Sequence, residues 1–135
     1  MRILITGGSG GIGFAIAEQA AQAGHQVVLA DLDIDLATHK ASLLQAQGFA
    51  AEALPLNLCQ QSSIEQLAAE AGEVDVLVNN AGIQHVARLE DFPEQKWQQL
   101  LQVMLTGPAM LSKALLPGMR SRGFGRVINI GSIHA

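Results

Sequence analysis

Five glycines fall within seven residues near the start of the chain, in the run Thr6-Gly7-Gly8-Ser9-Gly10-Gly11-Ile12-Gly13. The run separates a short apolar stretch, residues 3–5, from an alanine-rich stretch, residues 12–23. A glycine-rich turn from strand to helix lets backbone amides approach a pyrophosphate. It also aims a helix N-terminus, with its unpaired N–H groups and positive dipole end, at the same anion. The triphosphate loop that ends in Lys-Ser/Thr is excluded, because no such pair follows the last glycine. Asp31 stands 18 residues after Gly13, at the end of the apolar run 27–30. A carboxylate there can accept both hydroxyl protons of an adenosine ribose and repel a 2′-phosphate, which favours NAD over NADP. The competing role for Asp31 is a helix cap, for which Asp33 and Asp35 are also placed.

A site of this kind needs parallel strands that deliver their loops to one edge of a sheet. Apolar runs predict strands at residues 3–5, 27–30, 50–56, 74–78 and 126–130. The third is the weakest, since Ala50, Ala51 and Ala53 have low strand propensity. Helical patterns cover residues 12–23, closed by Gly24, and 36–47, closed by Gly48. A third helix runs to Ala71, with Ser62 or Ser63 as its cap. A fourth starts at Pro93 in a first helical position, and a fifth resumes after Gly107-Pro108 and runs to about Arg122. Strands that are apolar throughout and alternate with helices predict a parallel sheet covered on both faces, the doubly wound α/β (Rossmann) fold.

The bulk composition agrees. The chain has 135 residues, 49% hydrophobic and 15% charged, with a net charge of −4. That length predicts one domain, residues 1–135, with a sizeable core. Eight Lys plus Arg are scattered without a basic stripe, which excludes a nucleic-acid partner. No apolar run approaches the length of a membrane span, so none is expected. The single cysteine, Cys59, allows no internal disulfide and suits a reducing, cytoplasmic compartment. It has no His or Cys partner in the sequence and is read as incidental. His25, His39 and His85 are read as surface residues, and no metal site is expected.

Thr6-Gly7-x-x-x-Gly11-Ile12-Gly13 followed by Asn79-Asn80-Ala81-Gly82 resembles the paired signature of the short-chain dehydrogenases/reductases, and the resemblance covers the whole chain. A narrower resemblance, to the D-3-hydroxybutyrate dehydrogenases, rests on two stretches: residues 79–97, with Gln84 and His85, and residues 125–134, with Ser132 and His134. The resemblance implies an NAD-dependent oxidoreductase that interconverts a secondary alcohol and a ketone, with a small hydroxy acid as substrate. It implies that Gly7, Ser9, Gly11, Ile12, Gly13 and Asp31 meet the diphosphate and adenosine ribose. Asn57 and Leu58 would hold adenine, with Asn57 where the family usually has Asp. Asn80 and Gly82 would line the nicotinamide ribose, while Asn79 mainly serves the strand-end turn. Ser132 matches the catalytic serine that hydrogen-bonds the substrate oxygen, and Gln84 and His134 match donors to the substrate carboxylate.

Two departures stand out. The family's Tyr-x-x-x-Lys pair follows its serine, yet this chain contains no tyrosine. Met104 stands where the family has an Asn, and a thioether cannot replace that amide. Family members are also longer, so the chain is expected to correspond to the cofactor-binding half, with the sheet stopping after its fifth strand. It is expected to lack activity alone, with a non-catalytic dinucleotide-binding module or an inactive truncated remnant as the alternatives. The helix with Met110, Leu111, Ala114, Leu115 and Met119 spreads apolar residues widely. The resemblance makes it a subunit interface, so a homo-oligomer is expected.

Overall fold

The structure is a computed structural model, and it describes residues 1–133. Along the chain run β1 (Arg2–Thr6), α1 (Gly11–Gln22), β2 (Gln26–Asp31), α2 (Ile34–Ala46), β3 (Ala51–Pro55), α3 (Gln61–Glu70) and β4 (Val76–Asn79). A 3₁₀ turn at Leu89–Asp91, α4 (Glu94–Leu101), a π-helical segment at Gln102–Thr106, α5 (Gly107–Arg122) and β5 (Arg126–Asn129) follow. The strands form one parallel sheet in the order β3-β2-β1-β4-β5. The chain winds outward from β1 in one direction, then returns to its other side at β4. The loops after β1 and β4 therefore diverge, and a crevice opens between them at the carboxyl ends of the strands.

Each face of the sheet carries its own apolar layer. Leu4, Val28 and Leu77 pack with Ile64 and Leu67 of α3 and with Leu111, Leu115 and Met119 of α5. Ile3, Ile5, Val27, Leu29, Val76 and Val78 face the other way, against Ala17 and Ala21 of α1 and Ala37, Ala41 and Leu44 of α2. Burial on both faces is why these strands read as unbroken apolar runs.

The alanine-rich third strand does form. It lies at one edge of the sheet and pairs with β2 over five residues. Its Glu52 takes the Arg2 guanidinium, whose Nε also donates to the Ala71 carbonyl at 2.6 Å. Pairing and this tie outweigh local propensity.

Three local expectations are corrected. Neither Ser62 nor Ser63 caps α3: the cap is Gln60, without a side-chain bond, and Ser63 Oγ instead accepts from the Asn57 N–H at 2.8 Å. Pro93 is the cap of α4 and not its first helical residue. Gly107-Pro108 does not interrupt the helix. The π-helical segment carries it past a proline that has no N–H to give. Gly107 is there for close approach, since a Cβ on it would lie 2.9 Å from both the carbonyl oxygen and Cβ of Leu58.

The joined helix Glu94–Arg122 is long and apolar enough to cross a membrane by composition alone. In this fold its Leu111, Leu115 and Met119 stripe is buried against the sheet instead. The stripe also reassigns part of the apolar face expected at a subunit interface, because Leu111 is fully buried. Exposed apolar residues lie further back along the same helix, at Trp97, Leu101, Met104 and Leu105. Among the described residues β5 is the other edge strand, with Val127, Ile128 and Ile130 exposed.

Candidate functional site

The crevice is a cleft of about 680 Å³. All ten residues expected at a dinucleotide line it: Gly7, Ser9, Gly11, Ile12, Gly13, Asp31, Asn57, Leu58, Asn80 and Gly82. They come from the ends of β1, β2 and β4, from the start of α1 and from the turn after β3. The fold thus gathers residues that are far apart in the chain.

The glycine loop leaves β1 through Gly7, whose φ of +63° lies in the region that glycine tolerates best. The Gly7 N–H donates to the Ala30 carbonyl at 2.8 Å, which ties the turn to β2. A Cβ on Gly13 would run into the Gly7 carbonyl oxygen and lie 2.7 Å from Asn80 Nδ2, so α1 touches the turn only because Gly13 lacks one. Gly10 and Gly11 differ: a Cβ on either meets nothing within 4 Å. Their backbone faces open space at the N-terminus of α1. No side chain caps that terminus, and no acidic residue sits in its first turn. An uncapped helix start next to exposed glycine backbone is an anion cradle.

Asn80 holds the two loops together. Its Nδ2 donates to the carbonyls of Thr6 at 3.0 Å and Gly7 at 3.3 Å. The Thr6 hydroxyl in turn accepts from the N–H groups of Asn80 and Ala81, both at 3.0 Å. Asn79 does more than end its strand. Its Nδ2 donates to Asn129 Oδ1 at 2.9 Å and approaches Ser112 Oγ at 3.5 Å, joining β4 to β5 and α5.

The rivalry over Asp31 is resolved by Asp33, whose Oδ1 accepts from the Leu36 N–H at 3.0 Å and caps α2. Asp31 is left facing the cleft. Its Oδ2 accepts from the Ser9 N–H at 3.1 Å and the Ser9 hydroxyl at 2.6 Å, and its Oδ1 accepts from the Asp33 N–H at 3.1 Å. Among the described residues, no Lys or Arg lines the cleft. On the far wall, Asn57 Oδ1 accepts from the Cys59 N–H at 2.9 Å, so its side chain shapes the turn as well as facing the cleft. Leu58 is anchored by its contact with Gly107 and by the Gln102 amide, which donates to its carbonyl at 2.9 Å.

Other expected residues fall elsewhere. Gln84 and Ser132 are exposed, on segments without regular structure, and neither lines the cleft. His134 lies outside the described residues. His85 is half-buried rather than exposed, stacked edge-on against Phe92 at 5.1 Å, which in turn meets Trp97 at 5.6 Å. Met104 sits in the π-helical segment with its Cε 3.7 Å from where a Gly82 Cβ would stand, so a thioether borders that end of the cleft.

Cleft residues not anticipated from the sequence include Leu32 and Leu36 beside Asp31, and Gln99 and Val103 from the α4 side. Leu32 carried a usable signal: a large apolar residue directly after a strand-end carboxylate, 72% exposed in the structure. Cys59 also lines the cleft and is exposed. Among the described residues, no group of three or more His, Cys, Asp or Glu is placed to hold a metal ion.

These features suit a dinucleotide. The open amide cradle fits a diphosphate, the Asp31 carboxylate fits a diol, and the Leu58, Leu32 and Leu36 walls fit a flat apolar base.

The comparisons point the same way. The profile of the short chain dehydrogenases matches residues 1–135. An uncharacterized oxidoreductase of Bacillus subtilis is 42% identical over 135 residues, covering 97% of this chain and 52% of the relative. A D-beta-hydroxybutyrate dehydrogenase of Cupriavidus necator is 38% identical over 137 residues, with 97% and 52% covered. Among solved structures, a gluconate 5-dehydrogenase from Burkholderia cenocepacia in complex with NADP and tartrate superposes with a TM-score of 0.87 at 36% identity, covering 97% of this chain and 53% of that one. The chain spans about half the length of the curated relatives it matches.

Proposed function

The chain belongs to the short-chain dehydrogenase family, and from that premise we propose that its cleft binds NAD. In this reading it is the cofactor-holding part of an oxidoreductase that interconverts a secondary alcohol and a ketone. The substrate class is a short 3-hydroxy acid such as 3-hydroxybutyrate. The observation that carries the reading is the convergence of the glycine loop, Asp31, Asn57 and the Asn80–Gly82 segment on one cleft.

When bound, the nicotinamide supplies hydride-transfer chemistry. The chain's own residues bind and orient. The start of α1 holds the diphosphate on backbone N–H groups, Asp31 and Ser9 hold the adenosine ribose, and Leu58 packs on adenine. Asn80 and Gly82 border the nicotinamide ribose. Ser132 donates a hydrogen bond to the substrate oxygen, and Gln84 and His134 donate to its carboxylate. These 135 residues hold no tyrosine, so no phenol within them moves the substrate proton. Met104 at the Gly82 end, in place of the family's amide, favours a second reading: a dinucleotide-binding module without turnover.

A relative of known structure carries NADP. Asp31 and Asp33 in the cleft, and the lack of Lys or Arg among its lining residues, support NAD here. The reading extends to a cytoplasmic homo-oligomer, and the exposed Trp97, Leu101 and Leu105 support the association. Two measurements test it: calorimetric titration of the chain with NAD and NADP, and NADH formation with 3-hydroxybutyrate or gluconate. Tight NAD binding supports the cofactor assignment common to both readings, and turnover by the chain rejects the module. Absence of binding by either dinucleotide refutes both readings.

A further inference from the structure

The two edges of the sheet differ. β3 carries Glu52 and ends in Pro55, residues of the kinds that blunt an exposed edge. The stretch from Arg126 to Ile130 has neither a proline nor an acid. The N–H groups of Arg126 and Ile130 donate to β4 at 2.9 and 3.0 Å. By the two-residue alternation of a strand, those of Val127 and Asn129 point to the open side. Both faces beside that edge are open as well. Val127 shares the α5 face with Leu77, and with Leu116, Met119 and Phe124 it lines a groove of about 310 Å³ bordered by Arg120 and Arg126. Ile128 shares the α1 face with Val78, and Ile128 and Ile130 are 46% and 43% exposed.

Charge marks the same region. After Glu94 the sequence holds Lys96, Lys113, Arg120, Arg122 and Arg126 but no Asp or Glu, although the whole chain has a net charge of −4. Among the described residues, no carboxylate lies within ion-pair distance of Arg120 or Arg126. Arg126 stacks on the Phe124 ring at 4.9 Å instead.

A second copy does not fit this surface. Two β5 edges joined across a two-fold axis would run antiparallel and keep like faces together. Ile128 and Ile130 of both copies would then share one face with no helix over them. The stretch after Glu94 in either copy offers no carboxylate side chain to the arginines. A different polypeptide fits: one that adds a strand along β5, lays a helix on each face and brings carboxylates to the groove. There is room for one in the relatives, since this chain covers only 52% of each of the two sequences described above.

We propose that the β5 edge and its groove are an interaction surface for a separate α/β polypeptide with acidic residues at the groove, bound by strand addition. Nothing in this surface depends on what the cleft binds.

The test produces the tagged full chain in the same cells as a second polypeptide, made of the part of the Bacillus subtilis relative that this chain does not cover. The expected result is a complex with one copy of each by light scattering. In it, hydrogen exchange at the Val127 and Asn129 N–H groups slows at least roughly tenfold relative to the chain alone. Val127→Pro removes an outward N–H and leaves the bonds to β4 in place, so this variant is expected to melt like the unmodified chain and to lose the complex. Ile128→Lys keeps every backbone group and is expected to lose it too. Salt at about 1 M, where the screening length is about 3 Å, is expected to weaken the complex at least tenfold. Recovery of the chain without the second polypeptide overturns the proposal. A complex indifferent to both substitutions overturns it too, because the contact then lies on another surface, and one indifferent to salt overturns the acidic character of the partner. If Val127→Pro turns an assembly of the chain alone into monomers, a second copy occupies the edge and the proposal is wrong.

Discussion

Gly11→Ala and Gly13→Ala, two residues apart, should separate cofactor binding from folding. At Gly13 an added Cβ would collide with the Gly7 carbonyl oxygen and lie 2.9 Å from the Gly7 carbonyl carbon and 2.7 Å from Asn80 Nδ2. Carbon atoms prefer about 3.5–4.0 Å, so α1 and the turn must move apart. Overpacking of this kind costs about 1–3 kcal/mol, and here the obstacle is backbone that cannot rotate away. At Gly11 an added Cβ meets nothing within 4 Å, and the residue begins α1, where Ala is the better helix former by up to about 1 kcal/mol. Gly11→Ala should therefore melt at or slightly above the temperature of the unmodified chain, while Gly13→Ala should melt several degrees lower. NAD titration should reverse the contrast. Gly11→Ala places a methyl where the diphosphate approaches and should weaken binding at least tenfold, about 1.4 kcal/mol, in a fully folded protein. A Gly11→Ala protein that binds NAD normally would refute the assignment of this backbone as the anion cradle. A Gly13→Ala protein with unchanged melting would refute the packing argument.

Three further outcomes are expected. Asp31→Ala should narrow the preference for NAD over NADP by removing the carboxylate nearest a 2′-phosphate, and calorimetry showing tighter NADP binding by the unmodified chain contradicts that assignment. Incubated with NAD and 3-hydroxybutyrate, the 135-residue chain should form no more NADH than its Ser132→Ala control, because general acid–base groups contribute about 10² to 10⁴-fold and no tyrosine is present; robust turnover by pure protein would point to another base. Light scattering should report an oligomer that Leu105→Glu, at a site 65% exposed, dissociates, whereas Leu111→Glu, fully buried, should unfold the chain; a clean monomer mass at micromolar concentration rejects the assembly.

What was legible from the residues alone is what depends on local constraint. Gly7 needs its left-handed φ, Gly13 needs its missing Cβ, and Asp31 ends a strand; each requirement is written into a few neighbouring positions. The pattern of β1, β2 and β4 was legible because burial on both faces leaves no polar residue inside them. The misreadings involve contacts with distant segments. Gly107 looks like a helix break until Leu58 is seen packed against it. Ser63 looks like a cap until the Asn57 N–H claims its hydroxyl. His85 looks like an exposed residue until Phe92 stacks on it. The hydrogen bond from Ser9 to Asp31 was hidden for the same reason, since the two lie 22 residues apart.

The two motifs that carried the family resemblance are one structure in physical terms. Thr6 and Asn80 exchange four hydrogen bonds with the loops that follow β1 and β4, counting the second acceptance from Ala81 and the contact with Gly7. Asn80 Nδ2 also occupies the space that a Gly13 side chain would need. A change at residue 80 therefore acts on the start of α1, and a change at residue 13 acts on the end of β4, although the two are far apart in sequence. Because the carbonyls of Thr6 and Gly7 are bound to Asn80, the peptide units of the turn are held in one orientation before any ligand arrives. Donors fixed in advance do not have to be ordered during binding, and that saved entropy is the physical reason for the glycine loop and the asparagine to occur as a pair.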